Sequence, residues 1–166
     1  MRLLGVLLIL FVSTVHAGSA RAGGFEVSDQ GASAGGTANA AVARADDTAA
    51  AWHNPAWLAD GAGFRLMAGA TFLAPTLRGE ATDQTWIAET NGGVSVAPYA
   101  YLSVAVDDFL GGVSVNVPFA SNIRWPANWD QRFDILESKP QVFRVAPFLG
   151  WNFGRIRIAA GPHFDF

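Results

Sequence analysis

The sequence predicts an all-β protein: a transmembrane antiparallel β-barrel, present in part as about five strands and preceded by a short helical plug segment. Three observations predict it. From Gly63 onward the hydropathy has period two. The connections alternate between tight turns and long loops. Before the strands, the stretch DDTAAAWHNPAWLADG from Asp46 to Gly61 is alanine-rich and broken by one Asn-Pro step. Composition agrees with a chain that is not an ordinary soluble domain. Of 166 residues 15% are charged, against roughly 25% in soluble domains, while 51% are hydrophobic and 18 are glycine. A net charge of -3 offers no basic surface, so no nucleic-acid partner is expected. The absence of cysteine excludes a disulfide framework and a thiolate metal site.

The N-terminus carries Arg2, an apolar run from Leu3 to Val12, and then small residues. That is the pattern of a secretory signal peptide, with cleavage after Ala17 or Ala22. The run is about half of the ~20 residues a membrane helix needs. In the next segment Asp46, Asp47 and Thr48 can cap a short helix that Ala49 to Trp52 continue. Pro55 ends it, because the residue before a proline is pushed out of the α region. Asn54 can then cap a second short helix that has Pro55 at its first position and finishes before Gly61. Such a helix-break-helix cannot be a membrane strand; its place is the lumen.

Five alternating strands follow. Phe64, Leu66, Ala68, Ala70 and Phe72 oppose Arg65, Gly69 and Thr71. Val94, Val96, Pro98, Ala100, Leu102, Val104 and Val106 oppose Ser95, Tyr99, Tyr101 and Ser103. Val113, Val115, Val117 and Phe119 oppose Ser114 and Asn116. Val145, Leu149, Trp151 and Phe153 oppose Arg144, Gly150 and Asn152. Ile156, Ile158, Ala160, Phe164 and Phe166 oppose Arg155, Arg157, His163 and Asp165. Tight turns fall at Asp107-Asp108 and at Asn152 to Arg155, and long loops at Ala74 to Gly92 and Ala120 to Gln141. Short turns on one rim and long loops on the other are the habit of outer-membrane barrels. Arginines on the polar faces suit a wet lumen. The competing architecture is an exported β-sandwich whose apolar face is its core.

The run GGFEVSDQGASAGGTANAAVARADDTAAAWHNPAWLADG resembles the N-terminal hatch of the FadL/TodX family of outer-membrane hydrophobe transporters. The resemblance is carried by Gly24-Phe25, Gly35-Gly36-Thr37-Ala38-Asn39-Ala40, Ala45-Asp46-Asp47 and above all Asn54-Pro55-Ala56. Trp57 departs from the pattern, standing where the family commonly has glycine. The resemblance implies a barrel of about fourteen strands plugged by the hatch. It implies passive diffusion of long-chain fatty acids or aromatic hydrocarbons, capture by a greasy groove in the extracellular loops, and lateral exit into the bilayer at a distortion of the third strand. The chain is therefore divided into a signal peptide (1–22), a hatch (23–62) and the first barrel strands (63–166).

Two features of this sequence fit those roles. Ile123, Trp125, Trp129, Phe133 and Leu136 make the second long loop greasy enough for a hydrophobic ligand groove, although its tryptophans could equally anchor the loop at lipid headgroups. Pro118 has no N–H for the ladder and should open or bulge the third strand, or simply end it. The expected partners are a hydrophobic small molecule and outer-membrane lipid, in a Gram-negative-type outer membrane, with no cofactor.

No enzyme is expected. Gly31-Ala32-Ser33-Ala34-Gly35 matches the G-x-S-x-G pattern, but that motif needs a strand before it, a helix after it and later acid and histidine partners, for which only a poorly placed His163 could serve, and small-residue tracts match by chance. His53 has no second ligand at metal spacing, His16 lies in the expected signal peptide, and Asp46-Asp47 read as helix-capping residues. Other readings remain: a porin-like or structural barrel, and an exported soluble binding module. Five strands leave two unpaired edges, which a membrane does not tolerate. The sequence is thus expected to be a truncated N-terminal portion that would not transport alone and needs the remaining strands of a longer chain, with a non-functional truncated fragment as a further alternative.

Overall fold

The computed structural model describes residues 26–28, 30–43, 46–80 and 85–166. The expected signal peptide with its cleavage points, Gly24-Phe25 and Ala45 lie outside these residues. Two short helices, α1 (Ala32–Gly36) and α2 (Ala50–His53), precede a 3-10 turn (Pro55–Asp60). Then come β1 (Gly63–Leu73), β2 (Arg78–Glu80), β3 (Ile87–Glu89), β4 (Ser95–Val106), β5 (Phe109–Ala120), β6 (Ile123–Arg124), β7 (Glu137–Ser138), β8 (Gln141–Asn152), β9 (Arg157–Ala160) and β10 (Phe164–Asp165).

β1, β4, β5 and β8 form an antiparallel meander, and β9 and β10 both pair with the far edge of β8. Leu149 lies opposite Ala160 and Val145 opposite Phe164, which is one continuous register. β9 and β10 are therefore a single strand interrupted at 161–163, and the five alternating strands of the sequence are the five strands of the sheet. β4 reverses into β5 through a two-residue turn with Asp107 at φ 53°, matching the twist of a tight hairpin. The two long loops fold into small hairpins of their own, β2 with β3 and β6 with β7.

The two faces of this sheet differ in a way that decides the architecture. Ala97, Tyr99, Tyr101, Ser103 and Ala105 of β4, with Leu110, Ser114 and Asn116 of β5, are buried on the inner face. On the outer face Phe64 and Phe72 of β1 are 66% and 72% exposed, and Leu149 of β8 is 62% exposed. A sandwich would cover that apolar face with a second sheet. Here it is bare, and the more polar face is the packed one, as in a wall between lipid and a plugged lumen.

The inner face is covered by the helical segment. Ala49, Ala50, Ala51, Leu58 and Ala59 form one buried cluster with Tyr99, Tyr101, Ala105, Leu110 and Phe148. Small side chains let the helix backbone approach the sheet, while full burial of Leu58 and Leu110 contributes about 1.5–3 kcal/mol each. The sheet makes room in turn. Gly69 lies opposite Tyr99, and a Cβ there would sit 2.5 Å from the Tyr99 hydroxyl oxygen; Gly112 holds the same relation to Phe148.

Two local expectations change. The α2 segment is helical and Asp47 Oδ1 accepts a hydrogen bond from the Ala49 amide at 2.9 Å. Asn54, however, caps nothing with its side chain. Its Nδ2 donates to the Val42 carbonyl at 3.2 Å, and its backbone carbonyl accepts from Trp57, opening a 3-10 turn rather than a second α-helix. Val117, expected on the apolar outer face, is fully buried, because the register of β5 slips at that point.

Candidate functional site

The slip in β5 is the first element of the site. β5 pairs with β8 in one register up to Asn116 opposite Arg144, and resumes shifted at Phe119 opposite Val142. Val117 and Pro118 thus stand against Phe143 alone, a β-bulge. On the other side, the ladder with β4 stops at Ala100 opposite Val115. The freed edge is taken by the segment preceding α1. The Val27 amide donates to the Pro118 carbonyl at 2.7 Å, and Glu26 bridges to Phe119. Gln30 Nε2 donates to the carbonyls of Val27 at 2.8 Å and Val117 at 3.0 Å. The Gln30 carbonyl accepts from the Tyr101 hydroxyl at 2.9 Å, and the Tyr101 ring stacks on Tyr99 at 5.5 Å. A sheet opened by a proline is closed again by the segment that precedes α1.

Arginines of the inner face reach the tryptophans of the helical segment. Arg144 forms a two-pronged ion pair with Asp165 at 2.6 and 2.7 Å, and its guanidinium lies 5.6 Å from the Trp52 ring. Arg157 pairs with Asp60 and lies 5.1 Å from Trp57. Trp57 is accommodated by that cation–π contact. Asn54, Ala56 and Trp57 line a cleft of about 370 Å³ with Arg155, Ile156 and Arg157, and Pro55 borders a second cavity, with Trp52, Phe148 and Arg144. His53 is half-buried, and that burial lowers its pKa from the ordinary 6.5 against the opposing pull of Asp47.

On the long-loop rim, Trp125 and Trp129 stack at 4.3 Å with rings 7° apart, and Trp86 from the other long loop meets Trp129 edge-on at 6.0 Å. Trp129 Nε1 donates to the Ile135 carbonyl at 3.0 Å. Gly79 leaves the space that Trp125 fills. A cleft of about 220 Å³ opens beside this cluster, between Trp86, Ile87 and Glu89 on one side and Pro126, Asn128 and Trp129 on the other. The hairpin beneath carries an ion triad: Glu137 Oε1 receives Lys139 at 2.5 Å and Arg124 at 2.7 Å, and these two partners hold its carboxyl below the usual range.

A family model of outer membrane protein transport proteins (OMPP1/FadL/TodX) matches residues 13–154. The chain belongs to that family. No curated protein and no solved structure matches it. Membership makes the chain part of an outer-membrane β-barrel protein of the FadL/TodX class, which transports hydrophobic compounds.

Within this FadL/TodX chain the residues singled out by sequence are distributed unevenly. Asn54, Pro55 and Ala56 form the junction between α2 and the 3-10 turn. Pro118 lies in the bulge. Of the loop residues, Trp125 and Trp129 come together and Ile123 is buried, while Leu136 is exposed and its backbone carbonyl accepts from the Trp125 amide. Phe133 is not part of the cluster: it is 86% exposed and packs under the Arg132 guanidinium at 4.6 Å. Sequence reading missed Trp86, which belongs to a different loop; a search for tryptophans in both long loops would have found it. It also missed Gln30, whose only signal is a lone amide in a stretch of small residues.

Proposed function

We propose that this chain forms the hatch and first strands of a barrel through which long-chain fatty acids or aromatic hydrocarbons diffuse passively across the outer membrane. Residues 1–22 act as the export signal, 23–62 as the hatch and 63–166 as the strands. A hydrophobic molecule is taken up on the tryptophan cluster of the loops, passes along the hatch, and leaves sideways at the Pro118 bulge. No cofactor and no covalent chemistry are involved. The observation that carries this reading is the inverted sheet: apolar side chains exposed on the outer face, and a small-residue hatch packed on the inner one. The sheet is open, with β1 and the interrupted last strand at its edges, and membrane edges must be paired. Further strands complete the wall.

The test is uptake by Gram-negative cells with and without the protein. A radiolabelled long-chain fatty acid and an aromatic hydrocarbon should enter faster when it is present, while a small sugar should not. Equal gains for the sugar would make it a porin. Recovery of the protein in the soluble fraction would make it a binding module.

A further inference from the structure

The wall has a second interruption. β8 and the last strand share one register, in which Pro147 of β8 stands opposite Pro162. Phe143 and Phe166 exchange both backbone hydrogen bonds, N to O at 3.2 and 2.9 Å. In an antiparallel ladder such pairs recur at every second residue. The pairs of Val145 with Phe164, Pro147 with Pro162, and Leu149 with Ala160 therefore occupy bonding positions. At the middle one both donors are missing, since neither proline has an N–H. The residues 161–163 accordingly drop out of the strand. Gly161 sits so close to the Pro147 carbonyl that no side chain would fit there. Behind the seam, on the inner face, lies a cavity of about 310 Å³ bordered by Trp52 and Pro55, by Phe148 and the two prolines, and on its polar side by Arg144, which is held by Asp165, and His163. No backbone donor from the hatch is bonded to this stretch of wall among the described residues, in contrast to the Pro118 bulge.

We propose that the Pro147/Pro162 seam is a second lateral exit, through which compact apolar molecules pass from the cavity beside Trp52 into the bilayer. It rests on the transport reading above. The missing pair of ladder bonds weakens the hold between these two wall strands at this rung, between the Arg144–Asp165 ion pair on one side and the Leu149–Ala160 pair on the other. The cavity supplies room on the inner side for the molecule that separates them, and its volume is in the range of small-molecule sites. Pro147 and Pro162 hold the register parity of Val145 and Leu149 and both are exposed, so the side chains at the outer side of the seam are apolar.

The test exploits the absence of cysteine from the chain. Ala146 and His163 are opposed on the inner face in the same register, at a non-bonded position where cross-strand Cβ atoms are close enough for a disulfide. The double variant Ala146→Cys/His163→Cys is placed in outer membranes, and transfer of toluene into the bilayer is compared in the oxidised and reduced states of the same protein. A second pair, Ala68→Cys/Ala100→Cys, locks β1 to β4 as a control. Oxidation of the first pair should lower transfer severalfold, reversibly with dithiothreitol, and oxidation of the control pair should not. Pro147→Val with Pro162→Val, which restores both donors without a cross-link, should lower transfer in the same direction. Unchanged transfer in the locked protein and in the valine variant, with toluene still passing the unmodified protein, overturns the seam and leaves the transport reading intact. If the unmodified protein passes no hydrophobic probe, both fall together.

Discussion

Prolines interrupt the wall in two places, and the molecule treats them differently. At Pro118 the lost pairing is replaced: the Val27 amide and the Gln30 side chain bond the exposed carbonyls of the bulge. At Pro147 and Pro162 two donors vanish from a single rung, and a cavity lies behind. The same chemical deletion thus yields a plugged notch in one case and an unplugged seam in the other. What differs is whether another segment brings its own N–H groups. In a hydrocarbon environment that difference is large, because an unsatisfied backbone group has no water to turn to.

Attacking the plugged notch should have the largest effect. Tyr101→Ala removes a fully buried ring together with its bond to the Gln30 carbonyl, and should cost about 3–5 kcal/mol. Proteolysis should then cut near Val27 far more readily than in the parent. Gln30→Leu keeps the volume but loses both amide bonds, leaving the Val117 carbonyl without that donor. A loss of about 1–3 kcal/mol is expected, seen as faster hydrogen exchange at the Val27 amide but not at β1. Strengthening the unplugged seam should have a smaller, opposite effect. Pro147→Val with Pro162→Val adds two ladder bonds at about 1 kcal/mol each, and should raise the melting temperature and protect the new amides from exchange. No protection would mean that the strands diverge there for another reason.

The smallest effect concerns pH. His53 titrates below its ordinary 6.5 because burial disfavours the imidazolium. The unfolded chain then binds more protons than the folded one in that window. Hatch stability is therefore complete above 6.5 and falls as the pH drops below 6.5 through the lowered value. Protease sensitivity of the hatch should rise over that interval, and His53→Gln should flatten the dependence.

Much of the fold is legible in the sequence because a pleated strand writes its two faces in alternate letters. Tyr99, Tyr101 and Ser103 are distinguished from Leu102 and Val104 by parity alone. The breaks are less legible because they depend on register between strands. Val117 has the parity of an outer residue, yet the bulge turns it inward. The opposition of Pro147 and Pro162 follows only once the turn is counted, with Phe153 bonded to Ile156; from that pair the register back to the prolines is fixed. At the loop rim, a greasy run is visible one loop at a time, whereas the cluster joins Trp86 of one loop to Trp125 and Trp129 of the other. Asn54 lay in a readable helix break, but its side-chain partner, the Val42 carbonyl, could not be found from spacing.

The central claim is that one face of the sheet meets lipid and the other meets the hatch. The most direct measurement places a single spin-labelled cysteine in turn at Phe64, Leu66 and Phe72, and at Arg65, Met67 and Thr71, with the protein in lipid bilayers. Labels at the first three positions should relax with dissolved oxygen and ignore a water-soluble nickel complex, while labels at the other three should be shielded from oxygen. Equal access of the nickel complex to both sets would contradict a membrane wall and return the sheet to water.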